Sequence, residues 1–479
     1  MLCQFRPVQE HGGSWRTVQD ARKGIINEKN YHPQLQNKVN KKLGNIFKGD
    51  KVIWMIFFFL CMISIVEVYS ASSSLSYKGG NYWSPILKHC GILAVGTFMM
   101  ILVLNVKCKY FKLVTPFLLL FSFITLLVVL VAGETTNGAN RWIGFLGIQF
   151  QPSELAKGAL ILAIAQILSA MQTDKGADDK AFRYILIVSG FMLVPIAPEN
   201  LSTAMLIGAT VVLMMFIGRV PLRQIGKLIG GVAIVVIFAI AMVFLVGDDV
   251  EKEASEKQVL TERVEAAVDE NPSVLSKVTH RMGTWKSRFK RFFNNEEIPP
   301  EKFDLDKDAQ IGHANIAIVS SNIVGKGPGN STERDFLSQA FSDFIYAIII
   351  EEMGIGGATI VALLYVFLLF RTGKIAYRCE NAFPAFLAMG IALMLVIQAL
   401  FNMMVAVGLA PVTGQPLPLV SKGGTSTIIN CIYIGVILSI SRSAKKKPSS
   451  SADADNDIED YALTPIPQTQ FTQRISPNI

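Results

Sequence analysis

Three carboxylates stand in one apolar stretch of the sequence, FSDFIYAIIIEEMG at residues 341–354. Asp343 comes near its start, and the adjacent Glu351 and Glu352 lie near its end. On a helix, the eight residues from Asp343 to Glu351 correspond to about 80° of rotation and about 12 Å of rise, so these two acids share a side. Glu352 points elsewhere. Ionisable groups within an apolar span are usually functional, and at least one glutamate must face other helices, a cavity or a basic partner.

Ser342 is predicted to cap the helix that carries these acids, which places Asp343 in its first turn. The positive end of the helix dipole stabilises a carboxylate at that position. Asp343 is therefore expected to be ionised at neutral pH.

A second candidate site is the helix start QPSELAK at residues 151–157. Ser153 is the expected N-cap and Glu154 an acid in the first turn. Lys157 opposes the helix dipole and needs a compensating anion. That anion is Glu154, a carboxylate on another helix, or a phosphate. Arg141, in the loop before this helix, is either a bidentate phosphate donor or an interfacial anchor.

Three further loops carry turn-forming or polar residues. Gly325, Gly327 and Gly329 resemble a phosphate-binding loop only weakly, and a flexible outer loop is the favoured description. Asn200 and Ser202 are the expected caps of the second helix of a tightly connected pair. Ser421 and Lys422 precede two glycines; they either donate to a head group or belong to a re-entrant structural loop.

The elements that position these residues are membrane spans. The chain has 479 residues, of which 51% are hydrophobic and 17% charged, whereas soluble domains carry about 25% charged residues. Apolar runs long enough to cross a bilayer predict an all-α polytopic membrane protein with ten transmembrane helices. The predicted spans are 52–72, 86–106, 111–132, 153–171, two helices within 182–219, 225–247, 343–370, 383–409 and 425–441.

Most Lys and Arg residues of the short loops fall on the side of the N-terminus, which predicts that both termini are cytoplasmic. The net charge of +8 follows from this topology and gives no indication of nucleic-acid binding. Residues 1–50 form a basic N-terminal tail, 51–442 the membrane domain and 443–479 a disordered C-terminal tail. None of the six cysteines falls in an outer loop, which argues against a disulfide framework.

On this topology, residues 248–342 form a large extracytoplasmic loop between helices 7 and 8. Its segment VLSKVTHRMGTWKSRFKRFF is either an interfacial helix or a helix packed on the protein itself. The candidate residues gather on the outer face, which predicts an outward-opening polar cavity. They are Arg141, Glu154, Lys157, Asp343 and Lys422.

The stretches RWIGFLGIQFQPSELAK, GKGPGNS, DFIYAIIIEEMG and APVTGQPLPLVSKGGTS, in this order, resemble the SEDS family of FtsW, RodA and SpoVE proteins from about residue 50 to 442. The GNS after the glycines and the extra tails are most similar to the FtsW branch. The resemblance implies a peptidoglycan glycosyltransferase that polymerises lipid II at the outer face of the cell inner membrane. Its implied partners are a class B penicillin-binding protein and other divisome membrane proteins at the division septum.

The resemblance also implies roles for individual residues. Asp343 aligns with the family's essential acid and would be the catalytic base, and Glu154 and Lys157 fall on the family's PSELAK motif. A single displacement would invert the anomeric centre. Arg141, Lys157 or a divalent cation, Mg²⁺ or Mn²⁺, would stabilise the leaving pyrophosphate. The implied supporting residues are Arg141, Glu154, Lys157, Ser342, Glu351, Ser421 and Lys422.

The chain departs from the family's usual pattern at Ser338, Gln339, Phe341, Asn200 and Lys422. These departures leave Asp343 in place but bear on the roles of its neighbours. Two other functions stay open: a flippase that moves the lipid-linked precursor, because broken helices and embedded charges suit transporters, and a scaffold that recruits division proteins. A RodA-like elongation polymerase is the alternative within the family.

Overall fold

The structure is a computed structural model that describes residues 48–71, 83–132, 134–136, 139–145, 148–235, 237–238, 305–337 and 340–444. Almost all of both predicted tails, the predicted interfacial helix and much of the predicted outer loop lie outside these residues. Their assignments stay predictions.

The described part of the chain is mainly helical. Eight of its helices are long and apolar enough to cross a membrane, and α6 is a shorter apolar helix of 17 residues. Residues 222–235 are also helical. The predicted class, a polytopic helical membrane protein, is confirmed, whereas the count of ten spans and the position of the large loop stay predictions. The helices are α1 Lys51–Ala71, α2 Ser84–Leu104, α3 Cys108–Ala132, α4 Pro152–Ala170, α5 Asp179–Glu199, α6 Leu201–Ile217, α7 Leu305–Val319, α8 Ile345–Arg378, α9 Ala382–Ala406 and α10 Thr425–Ser443.

Short strands, which the all-α prediction did not include, connect some of the helices. Between α3 and α4, the strands β1 Glu134–Thr136, β2 Ala139–Phe145 and β3 Ile148–Phe150 pair antiparallel in chain order. A two-stranded ribbon, β4 Gln172–Thr173 with β5 Gly176–Ala177, joins α4 to α5. The sequence Asn137–Gly138 between β1 and β2 is a preferred hairpin connection, a signal that favours the first pairing.

Small residues allow the helices of the core to approach closely. On α10, a Cβ at Gly435 would lie 2.8 Å from the carbonyl oxygen of Met100 on α2. On α2, a Cβ at Gly96 would lie 2.8 Å from the sulfur of Cys431. Glycines at such contacts bring backbones together, which favours van der Waals packing between apolar helices. The helices α9 and α10 are accordingly among the most buried of the described residues.

Asp50 joins the ends of three helices at the side predicted to be cytoplasmic. Its carboxylate caps α1 by accepting the amide of Val52 at 2.9 Å. The Nε of Arg371 on α8 donates to both carboxylate oxygens at 2.9 Å, and Arg371 Nη2 lies 2.7 Å from Oδ2. The backbone amide of Asp50 donates to Ser441 Oγ on α10 at 2.9 Å. This bidentate geometry is the stronger form of an arginine–carboxylate pair.

Candidate functional site

Asp343 lies in a turn immediately before α8. The helix begins at Ile345 with Phe344 at the N-cap position, and no side chain caps it. The prediction that Ser342 is the N-cap and that Asp343 lies in the first helical turn is therefore wrong by two residues. Instead, the Ser342 hydroxyl donates to Asp343 Oδ1 at 3.0 Å.

Tertiary contacts, rather than the helix, hold this turn. Three successive carbonyl oxygens each accept a hydrogen bond from a distant part of the chain, and so these residues do not continue the helical pattern of α8. The donors come from α9 and from the segment that precedes α10. They are Lys422 N to Phe341 O at 3.0 Å, Ser421 Oγ to Ser342 O at 2.6 Å, and Asn402 Nδ2 to Asp343 O at 2.8 Å.

Asn402 connects the Asp343 turn to a wider polar network. Its Nδ2 also donates to the carbonyl of Gln415 at 2.7 Å. The side chain of Gln415 donates to Thr203 Oγ1 at 2.9 Å on α6. Asn200 caps α6 by accepting the amide of Thr203 at 3.1 Å, so its predicted capping role is confirmed.

The second predicted site is a buried ion pair near the start of α4. Lys157 Nζ lies 2.7 Å from Glu154 Oε1, and both side chains are almost fully buried. Of the three anions considered for Lys157, the structure selects Glu154. The N-cap position is Gln151 rather than the predicted Ser153, because Pro152 is already the first helical residue. Removing one partner of a buried pair typically costs about 3–5 kcal/mol.

Gln398 completes this pair from α9. Its Oε1 accepts a hydrogen bond from Lys157 Nζ at 2.7 Å, and its Nε2 donates to the carbonyl of Pro416 at 2.9 Å. Gln398 and Asn402 are one helical turn apart, so α9 binds both the ion pair and the Asp343 turn. These two amides were not among the predicted site residues; their signal is a pair of polar residues four apart in the apolar run LMLVIQALFNMM.

Glu351, predicted as a charge-network partner, is buried under the segment that follows α7. Lys326 Nζ lies 2.6 Å from its Oε1, and the amide and hydroxyl of Thr332 donate to the same oxygen at 3.0 and 2.9 Å. The hydroxyl of Ser331 donates to Oε2. The carboxylate is thus compensated by one cation and several donors, as a buried charge requires.

Glu352 is held by the same segment. The amides of Gly329 and Ser331 donate to its two oxygens at 2.8 and 3.2 Å. The hydroxyl of Ser70 on α1 also donates to this carboxylate, and Arg334 donates to Ser70 Oγ at 3.0 Å. We call residues 325–334 the clasp segment, because they enclose both glutamates.

Two glycines permit the clasp segment to contact the backbone of α8. Gly354 interrupts α8 with φ 70° and ψ −178°, and Gly325 has φ 79°. A Cβ at Gly354 would lie 2.3 Å from the carbonyl oxygen of Ile323. The amides of residues 326 and 327 donate to the carbonyls of Glu351 and Glu352 at 2.9 and 2.8 Å. The favoured description of this segment as a flexible loop is therefore wrong.

Lys422 and Phe341, two of the departures from the family pattern, contact each other. Lys422 Nζ lies 4.9 Å from the centre of the Phe341 ring, a cation–π geometry. Burial, and to a lesser extent the neighbouring Lys88, lower the pKa of the Lys422 ammonium. Lys422 thus reaches the Asp343 turn through both its backbone amide and its side chain.

Other predicted contributions fall outside the described side chains. Arg141 lies on β2, but its side chain is outside the part of the chain that the structure describes, as are Ser338 and Gln339. Within the described ranges, no group of three or more His, Cys, Asp or Glu side chains could hold a metal ion. Glu154 and Glu351 are each paired with a lysine, so these two carboxylates do not fit a divalent cation.

Together the fold and the site define a polytopic helical membrane protein. Asp343 lies on a turn that hydrogen bonds from α9 and from the segment before α10 hold in place. The ion pair of Glu154 and Lys157 is buried beside α9. The chain belongs to the FtsW/RodA/SpoVE family, whose profile, described as a cell cycle protein, matches residues 50–446. The resemblance found in the sequence is thereby confirmed.

The named relatives include peptidoglycan glycosyltransferases called FtsW and MrdB. A probable peptidoglycan glycosyltransferase FtsW of Geobacter metallireducens is 29% identical over 86% of this chain and all of its own length. The peptidoglycan glycosyltransferase MrdB of Escherichia coli K12 is 26% identical over 82% of this chain and 93% of its own. A chain from a solved peptidoglycan synthase complex has a similar fold, with a TM-score of 0.61 and 21% identity over 84% of this chain and all of its own.

Proposed function

We propose that this protein is a peptidoglycan glycosyltransferase that polymerises lipid II at the outer face of the inner membrane. The observation that carries the proposal is the Asp343 turn, in which a carboxylate stands on a backbone fixed by three tertiary hydrogen bonds. Relatives named as peptidoglycan glycosyltransferases along nearly the whole chain support it.

In the proposed reaction, Asp343 is the general base. It accepts the proton of the acceptor sugar hydroxyl while that oxygen attacks the anomeric carbon of the donor. The new carbon–oxygen bond forms as the bond to the polyprenyl pyrophosphate breaks, and the leaving pyrophosphate takes the electron pair. A single displacement inverts the anomeric centre. Because an aspartate is a weak base, proton transfer is concerted with attack.

The negative charge of the departing pyrophosphate has to be stabilised by a positively charged group. Lys157 is compensated by Glu154, so its role is to fix α4 against α9. Lys422 contacts an aromatic ring beside the Asp343 turn and is the described cation best suited to the leaving group. Arg141 on β2 is the other cation assigned to it.

The proposed setting is septal cell-wall synthesis, in a complex with a class B penicillin-binding protein and other divisome membrane proteins. The relatives named FtsW and the similarity to a chain of a peptidoglycan synthase complex support this setting. A RodA-like role in elongation is the alternative within the family. In either setting both termini are cytoplasmic.

Reconstitution with fluorescent lipid II tests polymerisation against transport. In liposomes that contain the purified protein and its penicillin-binding partner, we expect glycan chains resolved on a gel. A flippase would instead make the label accessible on the opposite leaflet without any polymer, and a scaffold would do neither. Either of those results would contradict the proposal.

A further inference from the structure

Asp343 lies just before α8, and contacts with other parts of the chain hold it in place. Within α8 and its first turn, the amides of Ala347 and Ile348 both donate to the carbonyl of Phe344, at 2.9 and 3.4 Å. The Asp343 carbonyl instead accepts Asn402 Nδ2 from α9. The helix therefore does not determine the backbone orientation at the acid.

Asn402 is suited to hold this carbonyl rigidly. It is almost fully buried, at 1% exposure, and its Nδ2 spans two backbone carbonyls, those of Asp343 at 2.8 Å and Gln415 at 2.7 Å. One turn earlier, Gln398 ties α9 to Pro416 O and to Lys157. The two amide side chains of α9 thus connect Lys157 and the Asp343 turn to residues 415–416. A side chain with such contacts has little rotamer freedom.

We propose that Asn402 is a positioning residue that sets the backbone, and through it the carboxylate, of Asp343. Its catalytic consequence rests on the proposed glycosyltransferase function. A misplacement of about 1 Å at a reacting group can reduce the rate about 10²-fold. Loss of the Asn402 donor should thus lower kcat more than it raises KM, because the substrate contacts are retained and the reacting geometry is not.

The variant Asn402→Leu keeps the side-chain size and removes the donor. In the purified complex with the penicillin-binding partner, we expect kcat for lipid II to fall about 10²-fold, while KM changes less than about twofold. Asn402→Ser, which keeps a shorter donor, should recover part of the rate. Thr210→Val is the matched control, because it removes a buried hydroxyl whose hydrogen bond stays within α6.

Backbone amide exchange provides a readout independent of activity. In Asn402→Leu, but not in Thr210→Val, we expect faster deuterium exchange in peptides that cover residues 341–347. Unchanged exchange there, or a kcat equal to that of the unmodified protein, would overturn the positioning role. If exchange rises and even the unmodified complex makes no glycan, the positioning holds and the proposed function fails. Should Asn402→Leu not fold, Asn402→Ala, which also removes the donor, carries the same two measurements.

Discussion

Lys422 and Phe341 contact each other beside the Asp343 turn. The resemblance marks both as departures from the usual family pattern, and the Lys422 amide also donates to the Phe341 carbonyl. An aromatic–lysine pair therefore occupies positions where the resemblance leads one to expect other side chains. The pair brings a half-buried positive charge to the proposed leaving-group side of the site.

If this charge is needed, activity depends on pH through Lys422. Its pKa is lowered, chiefly by burial and further by Lys88, and the ammonium loses its proton, with its charge, at a lower pH than a free lysine does. Polymerisation should decline on the alkaline side as pH rises through that pKa. The titratable groups near this position are Lys88 and His89 on α2 and Asp343 on the turn.

The replacement Lys422→Arg should move the alkaline decline to higher pH, because a guanidinium stays charged. Lys422→Met should reduce the rate at pH values below the Lys422 pKa and abolish the alkaline decline. Rates of glycan formation between pH 6 and 10 measure both effects. An identical alkaline limb in all three proteins would show that Lys422 only packs against the ring.

At the residue scale, the sequence predicted contacts between residues that are close together in the chain. Glu154 and Lys157 are three apart on a helix, and their pairing follows from that spacing. The Asn200 cap is equally local. Asn402, by contrast, meets Asp343 across 59 positions of the chain, a contact that no local pattern encodes.

At the element scale, the interruption of α8 and the clasp segment depend on each other. The positive φ of Gly354 makes room for Ile323 and Gly325, and the clasp segment then supplies the donors for Glu351 and Glu352. Apolar runs predicted the helices well. The start of α8 and its interruption at Gly354 depend instead on hydrogen bonds from distant parts of the chain. The three glycines of the clasp segment favoured a flexible loop. Their spacing alone does not reveal a contact with a distant helix.

Gly354→Ala should disrupt this arrangement. The new Cβ would lie 2.3 Å from the Ile323 carbonyl at a backbone conformation that only glycine readily adopts, and a loss of about 2–4 kcal/mol is expected. Thermal melting of the detergent-solubilised protein measures it, as a clearly lower Tm.

Gly356→Ala is the matched control. Its Cβ would stand 3.5 Å from the same carbonyl, an ordinary contact, and alanine favours a helix by up to about 1 kcal/mol. Its Tm should be unchanged or higher. Equal losses for the two variants would refute the account of the clasp segment.

At the scale of the whole molecule, orientation follows from the basic residues of the short loops. The clasp segment and the end of α7 should face the outside, and the turn between β4 and β5 the cytoplasm. Val319 is 83% exposed at the end of α7, and Lys175 is exposed in that turn, so each accepts a cysteine without loss of packing.

In intact cells, a membrane-impermeant maleimide should label Val319→Cys and leave Lys175→Cys unlabelled until the cells are opened. The parent chain, whose own cysteines are buried or half-buried within the described residues, is the background control. The reverse labelling pattern would invert the topology and remove Asp343 from the outer face.

The most direct test of the central claim is lipid II polymerisation by Asp343→Asn and Asp343→Ala in the purified complex. We expect both to fold, to bind the penicillin-binding partner and to form no glycan chains, because the base is lost while the turn keeps its backbone contacts. Asp335→Asn, at a half-exposed acid next to the clasp segment, should polymerise normally. Glycan synthesis by both Asp343 variants at the rate of the unmodified protein would contradict the account.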